Sequence, residues 1–243
     1  MLTVENTWKD VEQSSVTVAV LPVGATEQHG TNLPLSTDSL IVSRIAEAVA
    51  DAFDAYLLPT LPVGSSATHL SFPGTLTLRH ETLAAVIRDV VDSLAQTGFT
   101  TVILLSWHGG NYVVFDPAFH EDLRQRHPGL RVLVPRNVPA RNEAIAAAGF
   151  STDEWHAGER EASQVASLRP DLVGPNPTDA PGFRERLRGV QVTPETGFPQ
   201  DVRQVSPMGS LGEPSRGSAA KGDAFWAVYL PSLIESLQEQ LDQ

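Results

Sequence analysis

Short apolar runs and longer stretches of helical periodicity alternate along the first two thirds of the chain. Val16–Val23, Ala55–Leu61, Thr100–Ser106 and Leu130–Val134 are runs of strand length with few polar interruptions, the pattern of strands covered on both faces. Between them, apolar residues recur at helical spacing over Ser39–Phe53, Glu81–Ala95 and Phe115–Gln125. Gly98 stands just past the second of these segments, as a left-handed C-terminal glycine would, and Pro128-Gly129 closes the third. Further helices are predicted over Ala140–Ala148 and Glu161–Leu168, and a long amphipathic one over Ser218–Leu241. The alternation predicts an α/β fold: a single domain over 1–243 with a mostly parallel sheet flanked by helices on both faces. From Pro170 to Arg216 the periodicity stops and Pro and Gly accumulate. A structureless loop of that length is unusual in a compact domain, so a short hairpin or arm is expected, packing on a neighbouring subunit or walling the site.

Chemistry-bearing residues cluster where the predicted strands end. Gly24 breaks the first strand, and Glu27 and His29 follow on the loop, with Asp38 just beyond. The carboxyl edge of a parallel sheet is where open α/β proteins bind ligands. Imidazole nitrogen with carboxylate oxygen is a donor set that suits zinc or manganese, and the two oxygens of Asp38 allow it to bridge two ions. Trp107-His108-Gly109-Gly110-Asn111 repeats the arrangement after the Thr100–Ser106 strand: strand, imidazole, glycine-rich turn. If the strands are parallel, both loops open on one edge. A third group is His156, Glu159 and Glu161, around a predicted helix start. Carboxylates in a first helical turn are favoured by the helix dipole alone, which leaves Glu159 open between that role and a functional one. Glu161 is assigned as a ligand, because the first two groups hold too few donors for two ions.

These segments identify a family resemblance. Leu21 to Gly30 (Leu-Pro-Val-Gly-Ala-Thr-Glu-Gln-His-Gly), Leu33 to Asp38, Phe72-Pro73-Gly74-Thr75, His108 to Asn111 and His156 to Glu161 resemble the creatininase (creatinine amidohydrolase) family, in the same order. The resemblance implies a compact α/β fold, hydrolysis of an amide-type C–N bond and two divalent ions per chain, Zn²⁺ or Mn²⁺, with Fe²⁺ an alternative. It implies a homo-oligomer, most often a hexamer. By position, Glu27, His29, Asp38, His108 and Glu161 resemble the metal ligands, with Asp38 bridging, and His156 resembles the catalytic histidine. Glu159 is carried with it as a catalytic or orienting carboxylate. Creatinine-hydrolysing members carry Tyr and Glu where this chain has Gly109 and Gly110. Open space at those glycines is expected to make creatinine a poor substrate. A formamide, another cyclic amide or a peptide is then the expected substrate, and a cyclic keto-sugar or lactone is the alternative on the same site.

Neighbouring residues supply candidates for substrate contact: Ser66 and His69 after the second strand, and Trp107 and Trp155, each preceding a site histidine. Each tryptophan is equally consistent with core packing, and His69 with a loop histidine bonded to backbone. Asn111 is read either as a clamp on a carbonyl or as a helix N-cap. With 17 basic and 29 acidic residues the net charge is −12, which disfavours nucleic acid as a partner and leaves a small molecule. The absence of cysteine removes thiol catalysis and disulfides. Met1 to Asp10 has no apolar core of signal length and no run reaches membrane-spanning length, so a cytoplasmic protein without membrane contact is expected. His108-Gly109-Gly110 also resembles a serine-hydrolase oxyanion loop, but the Gly-x-Ser-x-Gly that such a fold needs is missing. A non-catalytic binding protein of the same fold would be marked by a damaged ligand set. Here the acidic and imidazole positions are filled, apart from the one occupied by Gly110.

Overall fold

The computed structural model describes residues 1–135, 138–193 and 197–242. Its centre is a parallel sheet of five strands: β1 (Leu2–Thr3), β2 (Val18–Val23), β3 (Tyr56–Leu57), β4 (Thr101–Ser106) and β5 (Arg131–Leu133). They lie in the order β1-β3-β2-β4-β5. Chain order therefore reverses direction at β2, which has β3 on one side and β4 on the other. The strand cores fall where the apolar runs predict them, trimmed by one or two residues at most ends. The β3 run is cut furthest, because Pro59 and Pro62 cannot donate to a ladder. Leu61 still makes a single bridge to Val23.

Alternation along the strands separates two cores. Val20 of β2, Ile103 and Leu105 of β4 and Leu133 of β5 pack against α2 (Thr37–Ala52), α5 (Val138–Ala147) and α8 (Ala219–Leu241). Their neighbours Ala19, Leu21, Val23, Val102, Leu104 and Val132 face α3 (His80–Gln96) and α4 (Pro117–Arg126). Helices thus cover both faces, which is why these strands read as continuous apolar runs rather than alternating ones. The remaining helices are α1 (Trp8–Ser14), α6 (Glu159–Leu168) and the single-turn α7 (Phe183–Arg186). None of the described helices is long and apolar enough to cross a membrane.

Two elements escape the sequence pattern. β1 is too short to form an apolar run, and α1 has no buried residue to set a periodicity. α1 is instead held at its start by a reciprocal capping box between Thr7 and Asp10. α6 begins at Glu159, two residues before the periodic stretch, and both glutamates lie in its first turn as expected. The Pro/Gly-rich stretch beyond Pro170 folds back on the chain. Val202, Val205 and Leu211 form a small apolar cluster with Phe72, on which Trp155, Phe183, Leu187 and Val190 pack. An isolated antiparallel bridge joins Val192 to Pro199. The arm therefore walls the site within its own chain.

Candidate metal centre

Register places the site. β2 and β4 pair in parallel from Val18↔Thr101 to Val23↔Ser106, so both chains leave the sheet side by side at the point where strand order reverses. Ligand crevices form at that position in open α/β sheets. Gly24 starts the first loop, and a Cβ there would lie 2.8 Å from Cα of Ser39. Only glycine lets α2 pass this close, and the approach brings Asp38, in the first turn of α2, over the loop. Asn111 locks the two loops together. Its amide oxygen accepts from Ser65 N at 2.9 Å and its amide nitrogen donates to the Gly24 carbonyl at 2.9 Å. It makes no side-chain cap on the turn that follows, so the clamp reading holds and the capping one does not.

Glu27, His29, Asp38, His108, His156 and Glu161 converge as buried groups. Three overlapping sets have donor atoms close enough for an ion: Glu27, His29 and His156; Glu27, Asp38 and His108; and His29, Asp38 and Glu161. His29 Nε2 lies 3.7 Å from Asp38 Oδ2 and 3.8 Å from Glu161 Oε2. His108 Nδ1 lies 3.3 Å from Asp38 Oδ2. Asp38 and Glu27 each join two of the sets, the position that a bridging carboxylate needs. Glu27 Oε2, His29 Nε2 and Asp38 Oδ2 are fully buried and have no hydrogen-bond partner. Orphaned polar atoms of this kind are costly, and their membership of the overlapping sets fits divalent cations.

The far nitrogen of each imidazole is tied down, as metal-ligating histidines require. His29 Nδ1 donates to the Glu27 carbonyl at 3.0 Å, which leaves Nε2 bare toward Asp38 and Glu161. His108 Nε2 meets the Ser65 carbonyl at 3.0 Å and Ser66 Oγ at 3.3 Å, so its Nδ1 faces Asp38. His156 Nε2 donates to the Gln28 carbonyl at 2.8 Å, leaving Nδ1 3.6 Å from Glu27 Oε1. The Gln28 side chain donates to His69 Nδ1 at 2.9 Å and to the Gly209 carbonyl at 3.2 Å. The same amide nitrogen lies 3.0 Å from His156 Nε2, whose proton is directed to the Gln28 carbonyl. Donation to His69 Nδ1 turns the Nε2–H of His69 toward Glu27 Oε1, 3.4 Å away.

Electrostatics divides the histidines into two kinds. Burial pushes the Glu27 carboxyl up to about 7 against the pull of His108. Burial also raises Asp38, but His108 and His29 outweigh it and hold the carboxyl at about 2. Burial lowers His108, yet Glu27 and Asp38 carry it up to about 10. His29 is raised in the same way, its burial overcome by Asp38, Glu161 and Glu27. His69 and His156 fall well below the ordinary value through burial and neighbouring imidazoles, and are neutral at neutral pH.

Several expectations change. Glu159 is fully buried, but its carboxylate accepts from Ser151 N at 2.8 Å and pairs with Lys221 and Arg216. Burial raises its pKa, and these partners, Lys221 foremost, outweigh burial and hold it low. Among the described contacts none reaches His156 or the ligand cluster, and the pair with Lys221 joins α6 to α8. Ser66 is buried and supports His108 instead of lining the main cavity, and His69 stands among the ligands. Trp107 and Trp155 do line that cavity, about 640 Å³ in volume, together with Phe198, Tyr229, Arg141 and Arg160. The space expected at the two glycines is filled. A Cβ at Gly110 would lie 2.0 Å from the Ser65 carbonyl oxygen, and one at Gly109 would lie 3.1 Å from the Phe198 ring. Sequence reasoning missed Gln28, Arg141 and Phe198. Gln28 stood in plain view between Glu27 and His29, whereas Arg141 and Phe198 lie on segments without any motif.

The segment carrying His156 is itself constrained. Trp155 N and Leu211 N bond across the arm, to the carbonyls of Leu211 and His156 at 2.8 and 2.7 Å. Ala157 takes a left-handed φ of 48°, uncommon for a residue with a side chain. The turn brings its N–H to Glu161 Oε2 at 2.6 Å. Strain of this kind persists where surrounding structure over-determines it, and here it aims two site residues from adjacent turns.

Comparison with known proteins agrees with this geometry. A family profile described as "Creatininase: Creatinine amidohydrolase" matches residues 4–237. The chain is similar to creatinine amidohydrolase of Pseudomonas putida, at 29% identity over 97% of this chain and 95% of that protein. It is 30% identical to the mycofactocin precursor peptide peptidase of Mycolicibacterium smegmatis, over 88% of this chain and 81% of the relative. Among solved structures, a manganese form of creatininase superposes with a TM-score of 0.80 at 26% identity, covering 100% of this chain and 99% of that one. With its sheet, its ligand-bearing loops and this match over nearly its whole length in agreement, the chain belongs to the creatininase family.

Proposed function

We propose that the protein is a hydrolase of a C–N amide-type bond that works with two divalent ions held by Glu27, His29, Asp38, His108 and Glu161. The observation that carries the reading is that Glu27, His29 and Asp38 each leave a buried donor atom without a hydrogen-bond partner and each belong to two of the overlapping ligand sets. Creatininase structures carry manganese or zinc, which supports either ion here. Divalent ions in such a set supply acidified water and polarise a substrate carbonyl.

The residues of the chain supply positioning and proton handling. The carbonyl of Gln28 fixes the tautomer of His156, whose bare Nδ1 points into the cluster. Being neutral, that imidazole can take a proton from the attacking water and pass it to the leaving nitrogen, which would otherwise depart as an unstable anion. His69 steadies Glu27, and Gln28 ties His69 to His156 through backbone and side chain. A homo-oligomer, hexameric as the resemblance implies, and a cytoplasmic location complete the proposal.

The test is elemental analysis of protein purified without chelator, followed by assays of formamides, cyclic amides, a lactone and short peptides. About two ions per chain and hydrolysis of one amide class are expected. Full activity in metal-free protein would overturn the reading.

A further inference from the structure

The cavity over the cluster carries two arginines that the proposed hydrolysis does not use. Arg160 follows Glu159 in the first turn of α6, and its side chain is 11% exposed. Its Nε is buried without a hydrogen-bond partner, and the nearest carboxylate oxygen, on Glu154, stands 3.8 Å away. That carboxylate is turned to the backbone N–H of Arg160 instead, at 3.2 and 3.3 Å. Arg141, from α5, lines the same cavity and lays its guanidinium over the Trp107 ring, 5.3 Å from the centroid. Among the described residues it has no ion-pair partner, and its side chain stays open to the cavity.

Two cations sharing one recess repel each other, at a cost that low surrounding dielectric raises. Burial lowers the Arg141 pKa to about 10, and the charge of Arg160 adds to that lowering. Once Glu161 is committed to an ion, the acidic charge facing the pair is reduced further. An anion between the guanidinium groups would relieve the repulsion, and the planar fork of each matches a carboxylate. Trp155 and Phe198, 4.7 Å apart between ring centroids, form an aromatic wall of the same cavity.

We propose that Arg141 and Arg160 bind a carboxylate on the substrate, so that the enzyme acts on N-acyl amino acids or short peptides with a free terminal carboxylate and an apolar side chain. The inference rests on the amidohydrolase reading for its reaction and on the arginine pair for its substrate. The pair holds the carboxylate while the aromatic wall takes the side chain, and the amide then lies toward the metal ligands that line the same cavity.

The test compares N-acetyl-phenylalanine with N-acetyl-phenylalaninamide on metal-loaded protein, by titration of tryptophan fluorescence and by hydrolysis. The acid is expected to bind about tenfold or more tightly than the amide, as a charge-assisted contact would give. Arg141→Gln and Arg160→Gln should each remove most of that preference with unchanged metal content, and Arg141→Lys should restore part of it. Equal binding of acid and amide, binding of neither, or a preference that survives both glutamine variants would overturn the assignment. Preferential binding of the acid without hydrolysis of either compound would leave the arginine site standing and overturn N-acyl amino acids as substrates, and the amidohydrolase reading would fall only if no amide class were cleaved.

Discussion

Asp38 and His156 stand in one cluster, yet substitution should separate them. Asp38 belongs to two of the three candidate ligand sets and has an orphaned oxygen, so Asp38→Ala is expected to lose at least one ion along with activity. His156→Gln should keep both ions and lose turnover by about 10²–10⁴-fold, the worth of a general acid–base step. Metal content of the two purified variants decides; equal loss from both would make His156 a ligand. His108 adds a pH-dependent outcome. Without an ion, Glu27 and Asp38 hold its imidazole protonated up to about pH 10. Coordination through Nδ1 must expel that proton, so metal loading at neutral pH should release about one proton from this residue. Calorimetry of metal binding in buffers of different ionisation enthalpy reads the number. The release should fade as pH rises through about 10, where the proton is already lost. Release that is unchanged above that pH would show that His108 is not its source.

α3 and α4 lie on the face of the sheet away from α8 and are clamped at one end by Asp92, which meets Arg126 and His127. Hydrogen bonding from Arg126, with help from His127, outweighs burial and holds the Asp92 carboxyl at about 2. A carboxyl depressed by folding stabilises at pH values above its unfolded pKa, and the contribution is lost as pH falls through its folded one. Asp92→Asn should therefore cost about 1 kcal/mol at pH 7, discounted for solvent screening. The gap between variant and wild type should close as pH falls toward about 2, measured by denaturant titration. At the loop after β4, Gly110→Glu restores the residue of creatinine-hydrolysing relatives but drives a Cβ into the Ser65 carbonyl. It is expected to lower the melting temperature and weaken metal binding rather than add an ion ligand; a stable, fully loaded variant would refute the packing argument. The strands, the covering helices and the edge that carries Glu27, His29 and His108 were legible because buried parallel strands write themselves as apolar runs. β1 and α1 were not, since neither buries enough to leave a pattern. Nor was the fate of Glu159, because a carboxylate in a first helical turn looks the same whether it meets an ion or Lys221.

On the scale of the whole molecule, the cavity wall reaches further along the chain than the metal ligands do. Every ligand candidate lies between Glu27 and Glu161, whereas Phe198 comes from the arm and Tyr229 from α8. Creatinine, small and flat, would touch little of a cavity of about 640 Å³, so its kcat/KM should fall below those of larger amides assayed with the same metal. Creatinine as the best substrate would refute this while leaving the ligand assignment intact. The in-register pairing of β2 and β4 has a historical consequence. Because adjacent strand ends place Glu27, His29 and His108, substitutions at wall positions that touch none of them can accumulate without retuning the centre, and a lineage can move between substrates while its ion chemistry stays inherited. Exchanging Arg141 and Phe198 for the residues of a relative should then change substrate preference and leave metal affinity behind.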